Sequence, residues 1–219
     1  MSVVELREVV CEANRRLPLA GLVTMHSGNA SGFDPESGLV VIKPSGVDYE
    51  KLTPEMLVEV DFATGRVTGS KLRPSVDLPH HLFLYRHLEG VRGIVHTHSN
   101  YATAFAACHL PIPLCLTAIA DEFGSEIPCA DFAECDDESL GRSILAARTR
   151  APAILLANHG VFAWGPSAAA AFKAAVMTED VAKTVHLSLQ IGQPQMLPIE
   201  AAEKYHTRYH TRYGQKKAA

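Results

Sequence analysis

Residues 3–17 place Val3, Leu6, Val10, Ala13 and Leu17 three or four positions apart, which predicts an amphipathic helix. The Gly/Ser/Asn stretch 27–32 reads as a turn. It leads into the apolar run Leu39-Val40-Val41-Ile42, a strand closed by Pro44-Ser45-Gly46. Thr53-Pro54-Glu55 starts a short helical segment, with proline at the first helical position. Strands are expected at 57–61 and 66–67, joined by a hairpin turn at Ala63-Thr64-Gly65. Over 78–88, Leu78, Leu82, Tyr85 and Leu88 share one helical face, with Pro79 in the first turn. A short buried strand follows at 91–95, then a helix near 102–107 and a proline-rich crossover, Pro111-Ile112-Pro113. The remainder reads as a helix over 139–150, a strand over 153–157 and a long Ala-rich helix over 168–190. No linker or low-complexity spacer interrupts residues 1–219, so the pattern predicts one α/β domain.

Composition changes this picture little. A chain of 219 residues, 47% hydrophobic and 20% charged, is ordinary for a globular protein. A net charge of -4 and a pI near 6.2 make nucleic acid an unexpected partner. The amino terminus shows no basic stretch ahead of an apolar core, and no apolar run approaches the roughly 20 residues that cross a bilayer. The five cysteines are odd in number and form no Cys-x-x-Cys pair, which fits reduced thiols. The expectation is a cytoplasmic protein with no membrane partner.

The chemistry concentrates around Gly93-Ile94-Val95-His96-Thr97-His98-Ser99. Residues two apart on a strand share a face, so His96 and His98 present their imidazoles side by side. His159, in Asn158-His159-Gly160, follows a second apolar run. Three imidazoles at strand ends suit an open zinc-type site, although His-x-His is also found as a surface pair on sheet edges. Most of the eight other histidines, among them His80, His81, His87, His109 and His186, read as bystanders. Asp77, ahead of the 78–88 helix, is either a helix cap or a further metal ligand. The stretches Gly28-Asn29-Ala30-Ser31-Gly32 and Lys43-Pro44-Ser45-Gly46 combine small residues, hydroxyls and backbone N–H groups. They are either plain turns or anion cradles. The tail carries a near-repeat, Tyr205-His206-Thr207-Arg208-Tyr209-His210-Thr211-Arg212-Tyr213.

Taken in order, these pieces resemble the class II aldolase/adducin superfamily. They are Gly-Asn-Ala-Ser at Asn29, Lys43-Pro44-Ser45-Gly46, Arg73-Pro74-Ser75-Val76-Asp77, His96-Thr97-His98-Ser99 and His159-Gly160-Val161-Phe162-Ala163-Trp164-Gly165. Within it the chain is most similar to the L-ribulose-5-phosphate 4-epimerases, through Asp77, the 117–124 segment and Arg212-Tyr213-Gly214-Gln215. The resemblance implies a three-layer α/β/α sandwich with a mixed, mainly antiparallel central sheet. It implies that Asp77, His96, His98 and His159 bind Zn2+ or another divalent cation such as Mn2+ or Co2+. Asn29, Lys43, Ser45, Gly46 and Ser75 would hold a sugar phosphate. Asp121 and Tyr213 would transfer protons with Thr117 assisting, Tyr213 reaching a neighbouring subunit of a homotetramer from a tail of about residues 200–219. Two departures stand out. Val76 replaces a second phosphate-binding serine, and the shortened tail leaves His206 as the only rough counterpart of a histidine expected from the adjoining subunit.

The implied activity is C4 epimerisation of L-ribulose 5-phosphate to D-xylulose 5-phosphate, by retro-aldol cleavage and re-addition through an enediolate. A sugar-phosphate aldolase or a sugar-acid-phosphate decarboxylase would share that chemistry. A non-catalytic adducin-like domain would lack the three histidines.

Overall fold

Pleat decides the layering. Along Gly93–Thr97 (β5), Ile94 joins one apolar cluster and Val95 the other. The same alternation repeats along Ala153–Leu156 (β7), where Leu155 faces away from Ile154 and Leu156. It repeats again along Gly160–Gly165 (β8), where Val161 and Ala163 oppose Phe162 and Trp164. A sheet that is apolar on both faces must be covered on both, which makes the molecule a three-layer α/β/α sandwich.

The computed structural model describes residues 2–135 and 138–215, so Lys216 and Lys217 at the tail lie outside the described residues. The remaining strands are Asn29–Asp34 (β1), Leu39–Ile42 (β2), Val58–Asp61 (β3), Val67–Thr68 (β4) and Cys129–Ala130 (β6). They form one sheet in the order β4-β3-β2-β1-β5-β8-β7-β6. Every pairing is antiparallel except β6 with β7, which gives the mixed, mainly antiparallel sheet expected. One face is covered by Val3–Leu19 (α1), Asn100–Ala107 (α3) and Ala168–Leu189 (α6), the other by Leu78–His87 (α2) and Ser139–Ala147 (α5). Thr117–Phe123 (α4) packs against α6, and Ile199–Arg212 (α7) packs against α4. Among the described residues, no helix is long and apolar enough to cross a membrane.

The elements set by clear periodicity fall where the pattern puts them, within two residues at their ends except for the helix expected over 139–150, which stops at Ala147. One expectation is corrected. Residues 29–32 do not form a turn but open β1, which pairs with both β2 and β5 near the centre of the sheet. Asn-Ala-Ser-Gly has poor strand propensity, and tertiary packing overrides it. At Gly32 an added Cβ would lie 2.7 Å from Val10 Cγ2 and 2.9 Å from Leu6 Cδ1, so the missing side chain lets α1 settle onto β1.

Asn14 of α1 completes that junction. Its Nδ2 donates to the carbonyls of Val10 (2.8 Å) and Ala30 (3.0 Å), and its Oδ1 accepts from the Ala30 N–H at 2.8 Å. Asn14 thus serves both backbone groups of Ala30 where the β1–β2 register ends at Ser31–Ile42. The replacement Asn14→Ala should destabilise the fold by about 2–3 kcal/mol, through buried backbone groups left unpaired. Urea unfolding would show this as a lower midpoint at unchanged slope.

Candidate active site

His96 lies inside β5, and His98 stands one residue beyond its end. His159 sits in the turn between β7 and β8, and β8 pairs alongside β5 with Thr97 opposite Val161. This antiparallel register carries the third imidazole to the other two. The Nε2 atoms of His96 and His98 are 3.0 Å apart, and one ligand atom from each of the three residues falls within 4.8 Å of the others. Close approach requires Gly160. A Cβ there would meet the Thr97 carbonyl oxygen at 2.4 Å and His98 Cδ2 at 2.7 Å.

His96 is held from behind. His96 Nδ1 donates to the Val161 carbonyl at 2.9 Å, which fixes the tautomer and leaves Nε2 as the lone-pair nitrogen. Its ring stacks on Phe162 at a centroid distance of 4.6 Å. The segment after His98 is secured by Glu179 of α6, whose carboxylate accepts from the N–H groups of Tyr101 and Ala102, both at 2.9 Å. Ser99, at the N-cap position of α3, makes no side-chain cap, so Glu179 performs that job from another helix.

The turn that carries His159 includes Asn158, which pairs with His109; both are non-glycine residues with positive φ (60° and 55°), and the His159 ring itself has Nδ1 3.8 Å from Cys135 Sγ. Asn158 Oδ1 pairs with His109 Nε2 at 2.5 Å, and the Asn158 N–H donates to the Ala106 carbonyl at the end of α3. His109 therefore acts in the support of the site and is no bystander. The only sequence signal is a position just past a helix end, where left-handed backbone is common.

His80 and His81 are likewise more than bystanders, since both are buried beside Asp77. Ser31 Oγ lies 2.7 Å from His81 Nδ1 and 2.8 Å from the Tyr85 hydroxyl, a polar chain through the apolar layer under α2. Their i, i+3 and i+4 placement after Asp77 is the available sign that they share its surroundings.

Asp77 occupies the N-cap position of α2 but makes no side-chain cap. Its Oδ2 instead accepts from Asn29 Nδ2 (2.6 Å) and Ser75 Oγ (3.2 Å). Asn29 lies opposite His96 in the β1–β5 register, so the carboxylate is drawn to the histidine face of the sheet. Burial works to raise its pKa. His96, His81 and the Asn29 amide work the other way and leave it lowered overall. Burial pushes His96 down to about 4 and lowers His98 and His159. Three neutral imidazoles with their ligand atoms this close form a donor set that could hold a divalent metal ion; Asp77 lies near them without belonging to that close group.

The segments around residues 43 and 75 run side by side. Pro44 bridges to Pro74, the Ser45 N–H donates to the Arg73 carbonyl, and the Ser75 N–H donates to the Lys43 carbonyl. Lys43 is 2% exposed, with its Nζ 4.7 Å from the Tyr49 ring centroid, and it makes no ion pair among the described residues. Burial lowers its pKa, and an anion brought to it would offset that cost. Ser45 and Gly46 are exposed, Gly46 at φ 70°. The Asn29 amide is already committed to Asp77 and Ser75. Its buried Oδ1 has no partner and is free to accept from a hydroxyl.

Asp121, Thr117 and Tyr213 are not part of the close three-histidine group. Thr117 and Asp121 lie on α4, and Asp121 Oδ1 is 3.6 Å from Arg208 of α7. Tyr213 ends α7, is 74% exposed and stacks on Tyr209. Val76 is 80% exposed, and His206 lies on α7 beside His210.

The Class II Aldolase and Adducin N-terminal domain model matches residues 8–186. Among solved structures, an L-fuculose 1-phosphate aldolase superposes with a TM-score of 0.85 at 28% identity, over 94% of this chain and 96% of its own. YgbL from Escherichia coli, named as a candidate aldolase/epimerase/decarboxylase, gives 0.80 at 23% identity, over 93% and 99%. The L-fuculose-1-phosphate aldolase from Thermus thermophilus gives 0.70 at 24%, over 87% and 98%. At those two lower identities the likeness is one of fold.

The variant His109→Gly separates backbone strain from side-chain orientation. It relieves a left-handed residue worth about 1 kcal/mol while removing the hydrogen bond to Asn158. Thermal stability should hold or rise, while zinc affinity in a competition assay falls about tenfold.

Proposed function

The chain belongs to the class II aldolase and adducin family, whose aldolases use a divalent metal, usually zinc, and from that premise we propose that it epimerises L-ribulose 5-phosphate at C4. The observation that carries the reading is the joining of Asp77 to the histidine face through Asn29, beside a buried lysine suited to a phosphate. An aspartate at this position and the tail sequence Arg212-Tyr213-Gly214-Gln215 favour the epimerase over other members.

C4 is β to the ketone and carries no acidic proton, so inversion there requires the C3–C4 bond to break and re-form. Bound at Asp77, His96, His98 and His159, the divalent ion supplies Lewis acidity for the charge left on the three-carbon fragment. Asn29 keeps Asp77 turned toward the histidines, and the Val161 carbonyl keeps His96 Nε2 unprotonated. Lys43, Ser45, Gly46 and Ser75 hold the phosphate while the aldehyde fragment rotates and presents its other face. One general base takes the O4 proton, and a second donor on the opposite side returns one to the new hydroxyl. Asp121 and Tyr213 fill these roles, with Thr117 beside them. Tyr213, exposed at the end of α7, would reach the site of a neighbouring subunit, which makes the homotetramer part of the reading.

The likeness to an L-fuculose 1-phosphate aldolase favours a second reading, an aldolase that releases the two fragments. Carbon NMR of the zinc-loaded protein with L-ribulose 5-phosphate separates the two. D-Xylulose 5-phosphate without free fragments is expected. Accumulating dihydroxyacetone and glycolaldehyde phosphate would make it an aldolase, and turnover of L-fuculose 1-phosphate alone would identify another sugar phosphate. The variant Tyr213→Phe should keep its zinc and lose kcat by about 10²–10⁴-fold, the usual worth of a proton-transfer group. An unchanged rate would remove Tyr213 from the mechanism.

A further inference from the structure

We propose that His206 and His210 form a second, weaker site for late transition-metal dications on α7. The tail repeats Tyr-His-Thr-Arg twice before Tyr213. A step of four residues turns an α-helix about 40° past one revolution, so each residue type in the repeat lines its own stripe. The tyrosine stripe packs inward: Tyr209 lies under Lys173 of α6, with Nζ 4.8 Å from the ring centroid. The arginine stripe sends Arg208 to Asp121. The histidine stripe brings the His206 and His210 rings together at a centroid distance of 4.3 Å. Among the described residues neither of these imidazoles makes a hydrogen bond or an ion pair, and His210 is exposed.

Two imidazoles four residues apart on one helical face are the chelating half of helical zinc sites. Burial first, then His210 and the Arg150 cation, lowers the His206 pKa, so its ring is neutral and ready to bind at pH 7. Glu203, one turn earlier, would be the natural third ligand, but Arg150 already engages it. The pair therefore offers two protein nitrogens, with water completing the shell, and binds more weakly than the triad. Imidazole without carboxylate selects Cu2+, Ni2+ and Zn2+ over Mg2+ and Ca2+.

The site has a consequence for turnover that rests on the proposed function. Tyr209 touches both His210 (5.4 Å between centroids) and Tyr213 (4.7 Å), so an ion on the pair stands one residue from the group assigned to proton transfer. Excess zinc should then slow the enzyme. The number of ions bound does not depend on that reading, and the test counts ions.

Chelator-stripped, untagged full-length protein is dialysed to equilibrium against Zn2+ and, separately, Ni2+, with folding checked by circular dichroism. Wild type should saturate at two ions per chain, His210→Ala and His206→Gln at one, and His98→Asn at one held weakly. The double variant His98→Asn/His210→Ala should bind none. Untagged wild type should also be retained on immobilised Ni2+, and His210→Ala should lose that retention. Saturation of wild type at one ion, or equal ion counts in wild type and His210→Ala, would overturn the proposal. Loss of the epimerase activity in the product assay, with two ions still bound, would count against the function and leave this site standing.

Discussion

Three imidazoles meet because one residue has no side chain. Gly160 allows β8 to run so close to the end of β5 that the Thr97 carbonyl and the His98 ring occupy the space where a Cβ would stand. The β5–β8 register then decides which residues face one another, and the Val161 carbonyl near the start of β8 also orients His96. A methyl group at residue 160 would force the two strand ends apart, and the fault would fall on the donor set. Strand pairing at the centre of the sheet and geometry at the site are one constraint.

Around that point the molecule solves an electrostatic problem in layers. Burial keeps the histidines neutral, and the Asn29 amide donates to Asp77 in its charged form. Lys43 is buried without a carboxylate partner among the described residues, so a negative group and a positive group stand on separate segments tied by the Pro44–Pro74 bridge. A divalent ion and a phosphate ester together carry the complementary charges. The divalent metal used by the family's class II aldolases fits the histidine side of this distribution.

Much of this is legible in the residues. Periodicity locates α1, α2, α6 and the strands β2, β3, β5 and β7, because each carries a strong apolar repeat. The His-x-His spacing and the Asn-His-Gly turn mark the triad, because strand pleat and turn chemistry are local. What escapes depends on distant partners. The strand at 29–34 is held by α1 and by its neighbours in the sheet, so its Gly- and Ser-rich composition suggests a turn. The roles of Glu179, His81 and His109 rest on contacts about 50 or more residues away, or on a backbone angle that single-residue propensities do not encode. The hydrogen bond from the Asn29 amide to Asp77 is likewise hidden, a pairing across 48 positions.

The supports of the triad are all made by protein atoms: the Val161 carbonyl, the Glu179 carboxylate at the start of α3 and the Ala106 carbonyl under Asn158. None of them requires an ion, so ordering the ligands is completed by folding itself and is not charged against metal affinity. This sets the molecule apart from a zinc finger, in which metal capture and folding are one event. Its ligand-bearing turns should therefore keep their arrangement before any ion arrives, so that loading and release of a divalent ion need no refolding.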